Sequence, residues 1–398
     1  MEIYKEARAL LGKLSGPHGI RASLSEKANY AAVFTRDAVM AGIAGLLCEL
    51  DDVADGLVRS LEELRNLQGP QGQIASNFTY VDGVFSRVSF GTLSPKVDAA
   101  TWYVVGVCFG IAQGRLRADE WRESVEKVIA LLDAMEYNGR HLIYVPMGGN
   151  WADEYIDEGY VLYDQVLRAW GLQLAGDLFD KAAWREKATT IWEVTRINYW
   201  PQSDYTGHPL ASHTTIMGRQ ALDARAYPCS CFTPAGYRHT FDLAACCLLT
   251  IASPLELENA KTLDWIETAF LDANRLPPAF YPVIAAGDAG WEALSNYHLF
   301  DFKNKPHHYH NGGIWLIWLG WLALAFYENG RTDALAKLGQ RVDAVIAGQE
   351  NFAYEEYFDG LALKPGGEKR MAYSASGLLM LQKARSSEIS GRLKDAWR

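Results

Sequence analysis

Four carboxylates crowd together at Asp153, Glu154, Asp157 and Glu158, directly after Trp151 and the Gly148-Gly149 pair. Carboxylates that close raise one another's pKa once any of them leaves water. A carboxylic acid with a raised pKa can deliver its proton to a leaving group. Trp151 adds a flat apolar face of the kind on which a sugar ring stacks. Taken alone, the stretch fits an acidic helix start, where the helix dipole favours negative charge. What the other loops carry decides between the two readings.

The elements that must position these groups are helical from end to end. Helical periodicity recurs in about twelve segments, near 3–14, 36–50, 52–68, 97–113, 119–136, 159–177, 181–197, 238–252, 255–270, 311–328, 332–349 and 372–385. Short β-pieces are expected at 139–145 and 84–88. The connections alternate between very short turns and long loops at 15–35, 69–96, 137–158, 198–237, 271–310 and 350–371. Long loops inside a compact domain are uncommon and usually functional. The helices that follow them are apolar nearly all round, as Trp102–Ile111, Leu243–Thr250 and Ile314–Phe326 show; such helices are buried among others. The helices after short turns carry charge on one face, as in Glu120–Lys127. Six buried helices ringed by six half-exposed ones predict an all-α fold, an (α/α)6 barrel, with residues 1–398 as a single catalytic domain. All the long loops then open on one end, in a funnel at the N-termini of the inner helices.

Composition excludes several classes. The net charge is −10, with 38 Lys and Arg against 48 Asp and Glu and no basic block, which argues against nucleic acid and anionic membranes as partners. The longest apolar run, Gly312 to Tyr327, is too short and too rich in Gly and Trp for a membrane span. The chain opens directly into an amphipathic helix with no signal peptide, and most of its six cysteines lie in apolar helical runs. A cytoplasmic location with reduced thiols is the expectation. His307, His308 and His310 have no carboxylate or cysteine at ligand spacing, so no metal is called for.

Each long loop delivers polar and aromatic residues just before its inner helix. The first carries Asn29-Tyr30-Ala31-Ala32-Val33-Phe34-Thr35-Arg36-Asp37, and the second runs from Phe90 through Lys96-Val97-Asp98 to Trp102. The fourth ends Tyr237-Arg238-His239-Thr240-Phe241-Asp242, and the fifth ends His307-His308-Tyr309-His310-Asn311-Gly312-Gly313-Ile314-Trp315. The sixth carries Tyr354-Glu355-Glu356-Tyr357-Phe358-Asp359. Each has a plainer reading: Arg36-Asp37 as a helix-start ion pair, Asp98 as a helix N-terminal acid, Tyr309 and Trp315 as core, Glu355 and Glu356 as solvated charge. Their placement at the same end of successive inner helices favours a site, and amides, carboxylates and aromatics suit a neutral polyhydroxylated ligand.

The segments Asn29–Asp37, Ser89–Trp102, Trp151–Gln165, Tyr309–Trp315 and Glu356–Tyr373 resemble the neutral/alkaline invertases, glycoside hydrolase family 100, and more distantly other (α/α)6 glycosidases. The resemblance keeps its order along nearly the whole chain. It implies hydrolysis of a small α-glucoside, sucrose or a related disaccharide, by an inverting mechanism with two carboxylates. Asp153 matches the acid and Glu356 the second carboxylate. Arg36, Asp37, Asp98, Gln165, His310 and Asn311 match positions that bind sugar hydroxyls, and Tyr30, Trp102, Trp151, Arg238, Trp315 and Tyr373 are further candidates from the same loops. Two departures stand out: Tyr163 replaces an acidic position of the family, and Leu316 follows Trp315 where the family has proline. Residues 206–226 have no counterpart in that family.

No cofactor is expected, the partner is a small sugar, and self-association is left open. Asp153 is expected to have the higher working pKa of the pair, because Trp151 and the neighbouring acids disfavour its charge. Two alternatives remain: a sugar epimerase or isomerase on the same barrel, which would want His239 and His310 paired at the funnel floor, and a non-catalytic carbohydrate-binding protein, which needs no second carboxylate opposite Asp153.

Overall fold

The computed structural model describes residues 2–25, 27, 30–92, 94–200, 205, 207–218 and 226–386. Asn29 of the first loop and part of 206–226 lie outside the described residues. The helices are α1 Glu2–Leu14, α2 Thr35–Leu47, α3 Asp51–Asn66, α4 Asp98–Ala112, α5 Ala118–Ala134, α6 Leu162–Leu178 and α7 Ala182–Tyr199. There follow the short α8 His213–Gly218, α9 Leu243–Ala252, α10 Glu256–Ile266 with a π-helical extension Glu267–Leu271, and the short α11 Trp291–Asn296. The last three are α12 Leu316–Glu328, α13 Thr332–Ala347 and α14 Ala372–Ser386. Every helix expected from periodicity is present, and α8 and α11 are additions inside two of the long loops.

The packing partners close a circuit. Helix α2 packs on α4, α4 on α6, α6 on α9, α9 on α12, α12 on α14, and α14 returns to α2. The remaining long helices lie against this circuit: α3 on α2, α5 on α4 and α6, α7 on α6, α10 on α9, α13 on α12 and α14, and α1 on α14. Side-chain chemistry explains the two layers. In α12 every residue from Leu316 to Phe326 is buried, and α9 is buried along its whole length. In α3 burial is confined to Val53, Ala54, Gly56, Leu57, Ser60, Leu61 and Leu64, the single stripe of an amphipathic helix. Helices α12 and α14 pack backbone to backbone at Gly320 and Gly377, where a Cβ on either would strike the other's backbone.

Short strands were largely unforeseen, and they belt the mouth of the circuit. They are β1 Ser15–Gly16, β2 Gly19–Ile20, β3 Val33–Phe34, β4 Asn77–Val81, β5 Val84–Ser89, β6 Tyr160–Val161, β7 Cys231–Thr233, β8 Gly236–Arg238, β9 Phe241–Asp242, β10 Phe280–Tyr281, β11 Tyr357–Phe358 and β12 Pro365–Gly366. Antiparallel ladders join β3 to β4 to β5, β6 to β7 to β8, and β9 to β10. Isolated bridges pair Ile314 with Phe358 and Met371 with Ser23. The residues just before α2, α6, α9, α12 and α14 are thus extended and paired to a neighbouring loop. The β4–β5 hairpin turns at Asp82 and Gly83, both with positive φ (50° and 75°), as a two-residue hairpin turn requires.

The belt corrects three expected helix starts. Helices α6, α9 and α12 begin at 162, 243 and 316, later than the 159, 238 and 311 read from periodicity. Apolar residues continue upstream in each case, but there they serve strand pairing. The β-piece expected at 84–88 is β5, whereas 139–145 contributes only the bridge of Val145 to Gly159. Among the described residues no helix is long and apolar enough to cross a membrane. Among the described residues no cysteine is paired in a disulfide.

Candidate active site

A cavity of about 320 Å³ opens at the mouth, and its walls are the approaches to five of the six circuit helices. Phe34, Arg36 and Asp37 come from the start of α2, Lys96 from the approach to α4, and Trp151, Asp153 and Glu154 from the loop before α6. Tyr309, His310 and Trp315 come from the loop before α12, and Glu356, Met371 and Tyr373 from the approach to α14. Tyr30 and the β4–β5 residues Asn77, Arg87 and Ser89 complete one side, and Leu299, Phe300 and Lys303 the other. Its volume falls in the range of small-molecule sites. A larger hollow of about 760 Å³ lies among the C-terminal ends of α6, α9 and α12, away from these groups.

Arg36 anchors the floor. It donates through Nη1 to Asp98 Oδ2 at 2.8 Å and through Nε to the Tyr373 hydroxyl, and Nε lies 3.8 Å from Asp37 Oδ2. Asp98 is 1% exposed, so the pair is a buried one. Asp37 Oδ2 is buried with no hydrogen-bond partner among the described residues. Burial pushes the Asp37 carboxyl up to about 6, against the pull of Arg36. An acceptor in that condition is suited to receive a ligand hydroxyl.

Asp153 and Glu356 line the same cavity in opposite electrostatic settings. Lys96 Nζ donates to Asp153 Oδ1 at 2.8 Å, and to the carbonyl oxygens of Gly148 and, at 3.3 Å, Asn150. Burial opposes the charge of Asp153, but Lys96 and Arg36 outweigh it and hold the carboxyl below the ordinary aspartate value. The Asp153 side chain keeps 43% of its surface exposed, so it faces the open part of the cavity. Glu356 accepts from the Tyr30 hydroxyl at 3.3 Å and from the Glu368 N–H at 3.3 Å. Burial raises its pKa to about 7, with Lys303, the Glu368 N–H and Tyr30 pulling down. The expected order of the two pKa values is therefore reversed. Of the acids near Asp153 in sequence, Asp157 turns away to Arg238 at 3.3 Å, and a lysine stands directly beside Asp153.

The aromatics form one stack. Trp151 lies parallel to Phe280, with ring centroids 5.6 Å apart, and meets His310, Trp315 and Trp318 edge-on. His310 stacks on Trp315 at 5.3 Å. Its ring is neutral, because burial lowers its pKa to about 3. Its Nδ1 is buried without a hydrogen-bond partner among the described residues.

Of the candidate residues, Tyr30, Arg36, Asp37, Trp151, Asp153, His310, Trp315, Glu356 and Tyr373 meet in this cavity. Five others do not line it. Asp98 lies beneath, holding Arg36. The Trp102 indole N–H donates to Tyr163 Oη at 2.7 Å inside the circuit. Gln165 clamps Ile143 through both its backbone N–H and its carbonyl, at 3.0 and 2.9 Å. Asn311 does the same to Ile284 at 2.8 Å on each side. Arg238 sits with Asp157. These amides and ions hold the loops in shape. His239 lies against Cys229 and Tyr237 rather than in the cavity, so it forms no pair with His310 there. Of the carboxylates adjacent to these two in the chain, Glu154 lines the cavity, whereas Glu355 folds back to accept from the Ala353 N–H at 2.9 Å.

Lys96, Arg87, Asn77 and Lys303 escaped the reading of the sequence. Lys96 stands inside the Ser94-Pro95-Lys96-Val97-Asp98 stretch, and a cation so close to a candidate acid was a signal. Asn77 and Arg87 ride on a hairpin whose Asp82-Gly83 turn was a second one.

The fold is similar to that of solved glycoside hydrolases, and one segment matches a glycoside hydrolase family. The chain superimposes on the GH63 mannosylglycerate hydrolase from Thermus thermophilus in complex with glucose, with a TM-score of 0.64 and 11% identity over 96% of this chain and 99% of that one. A glutamate-to-alanine variant of a glycosidase, also in complex with glucose, matches with a TM-score of 0.62 and 12% identity over 97% and 96%. More particularly, residues 279–385 match the family described as alkaline and neutral invertase. That segment carries Tyr309–Trp315 and Glu356–Tyr373, two of the stretches on which the resemblance rests. Among curated proteins no sequence matches at a significant level.

Proposed function

We propose that the protein is a single-domain (α/α)6-barrel glycosidase that cleaves a small α-glucoside, sucrose or a related disaccharide, with inversion at the anomeric carbon. One observation carries this reading: Asp153 and Glu356, about two hundred residues apart, line one small-molecule cavity together with Arg36, Asp37 and an aromatic wall. In this reading Asp37, Arg36 and His310 take the hydroxyls of the non-reducing sugar. Asp153 protonates the leaving oxygen, and Glu356 deprotonates a water on the far face of the ring. Lys96 holds Asp153 ionised in the protein alone, so a bound glycoside must draw Asp153 away from Lys96 before the acid can carry a proton. Cysteines without disulfides among the described residues agree with a reducing, cytoplasmic setting.

A second substrate reading concerns the aglycone. Lys96, Arg87 and Lys303 all line the cavity, and the Lys303 ammonium stands 4.9 Å over the Tyr309 ring. Cations there suit a leaving group that bears a carboxylate, as in mannosylglycerate.

The test is hydrolysis of a panel of disaccharides and glycosyl-glycerates, with the released anomer followed by NMR. Asp153→Asn and Glu356→Gln should each lose about a thousandfold or more in kcat, an effect of the size expected for general acid–base groups and their surroundings. Glu154→Gln and Glu355→Gln should keep most activity. Full activity in all four variants would end the two-carboxylate reading, and release of the retained anomer would end inversion.

A further inference from the structure

A second cavity, of about 240 Å³, lies on the reverse side of the loops that build the first. His307, Gly312 and Ile314 face it, whereas Tyr309, His310 and Trp315 of the same loop face the candidate active site. Gly360 and Leu361 wall it too, a few residues after Glu356. The two loops are tied at this point: the Gly360 N–H donates to the His307 carbonyl at 2.8 Å, and Ile314 pairs with Phe358.

The chemistry of the walls is one-sided. Phe270, Tyr281 and Ile314 supply an apolar lining, and the ionisable groups besides Tyr281 are Arg275, Arg341 and His307, with no carboxylate among them. Arg341 has a buried Nε with no hydrogen-bond partner, and it forms no ion pair among the described residues. Among the described residues Arg275 is held at its edge, by a bond from Nη2 to the Ala269 carbonyl at 2.8 Å and by the Phe270 ring. Acids on the adjoining segments are already engaged. Glu267 and Asp272 hold Lys337 at 2.9 and 2.7 Å. Asp359 accepts from the N–H groups of Leu361, Ala362 and Lys364.

A buried guanidinium N–H without an acceptor is costly to leave unmet. Two guanidinium forks on one concave surface match the oxygens of a phosphate, and an aromatic flank matches a ring attached to it. We infer that this cavity is a second ligand site, one that takes a phosphate monoester with a ring-shaped body, the oxyanion on Arg275 and Arg341 and the ring against Phe270 and Tyr281. The inference does not depend on the reaction proposed for the first cavity.

The experiment is isothermal titration of the full chain with phenyl phosphate, with inorganic phosphate and phenol in parallel. Phenyl phosphate should bind saturably, inorganic phosphate more weakly, and phenol not measurably. Arg341→Gln and Arg275→Gln should each weaken the ester tenfold or more. Arg275 is exposed, so the second variant folds even if the first does not. Absence of saturable ester binding, equal binding of phenol, or an affinity unchanged in both variants would overturn the assignment. The last outcome would also report an ester bound among Arg36, Lys96 and Lys303 instead.

Discussion

Lys96 beside one carboxylate and burial of the other give the two acids of one cavity opposite characters. The ammonium of Lys96 at 2.8 Å favours the charged form of Asp153, while Lys303, a single backbone N–H and Tyr30 offset only part of the burial of Glu356. With a pKa near 7, Glu356 is protonated below neutrality and cannot then accept a proton from water. If Glu356 is the base, kcat/KM rises as pH climbs through about 7, and the acidic limb of the profile disappears from that window in Glu356→Gln. A profile that falls through the same window would instead make Glu356 the proton donor. His310 contributes no limb near neutrality, since its ring stays neutral down to about 3. Glu356 enters the cavity, whereas the neighbouring Glu355 carboxylate is turned back to accept from the Ala353 N–H.

At the scale of elements, Arg36 joins three circuit helices at their N-terminal ends. It leaves α2, bonds Asp98 on α4 and meets Tyr373 on α14. Its removal would strand the Asp98 carboxylate, which has 1% exposure, without a counter-charge. Arg36→Ala should therefore lower unfolding stability by about 3–5 kcal/mol as well as reduce turnover, as breaking a buried pair does. Urea unfolding with the double variant Arg36→Ala, Asp98→Asn checks this: the second substitution should restore part of the loss. If Arg36→Ala unfolds like the parent, the arginine serves the ligand alone. The belt of short strands is the other device at this scale. Phe34, Val161 and Trp315 cap α2, α6 and α12 from extended conformations with no side-chain hydrogen bond. None of these three N-cap residues is Ser, Thr, Asp or Asn, so the usual capping signal is missing at the cap position.

Across the whole molecule, closing the helix circuit buries acids along with its apolar side chains. Both carboxylate oxygens of Asp164 are buried without a hydrogen-bond partner among the described residues. Burial, with Asp98 and Asp242 adding to it, holds the Asp164 carboxyl well above the ordinary aspartate value of 3.8. Such a group is protonated when folded and ionised when unfolded, so its contribution is full below about 4 and drains away as pH rises toward the folded value. Asp164→Asn keeps the shape and removes that drain. It should raise Tm by roughly 1–3 °C, more at pH 8 than at pH 5, as calorimetry at the two values would register. A lower Tm at pH 8 would mean that Asp164 is ionised and paired in the folded protein.

What the sequence determined by itself was the alternation. All-round apolar helices after long loops and striped helices after short turns dictate which helices are enclosed, because burial of apolar surface is the largest favourable term and needs no detail of contact. The same alternation put the candidate residues at one end, and nine of them do share a cavity. Tertiary structure decided the rest. Gln165 and Asn311 are amides that suit a sugar equally well on paper, but each is taken up by one backbone segment, Ile143 or Ile284, that needed a donor and an acceptor at once. The protonation of Asp153 was read from its neighbours in the chain, yet it is governed by Lys96, fifty-seven residues earlier. Charge–charge energies fall with distance in space, and only the folded chain sets that distance.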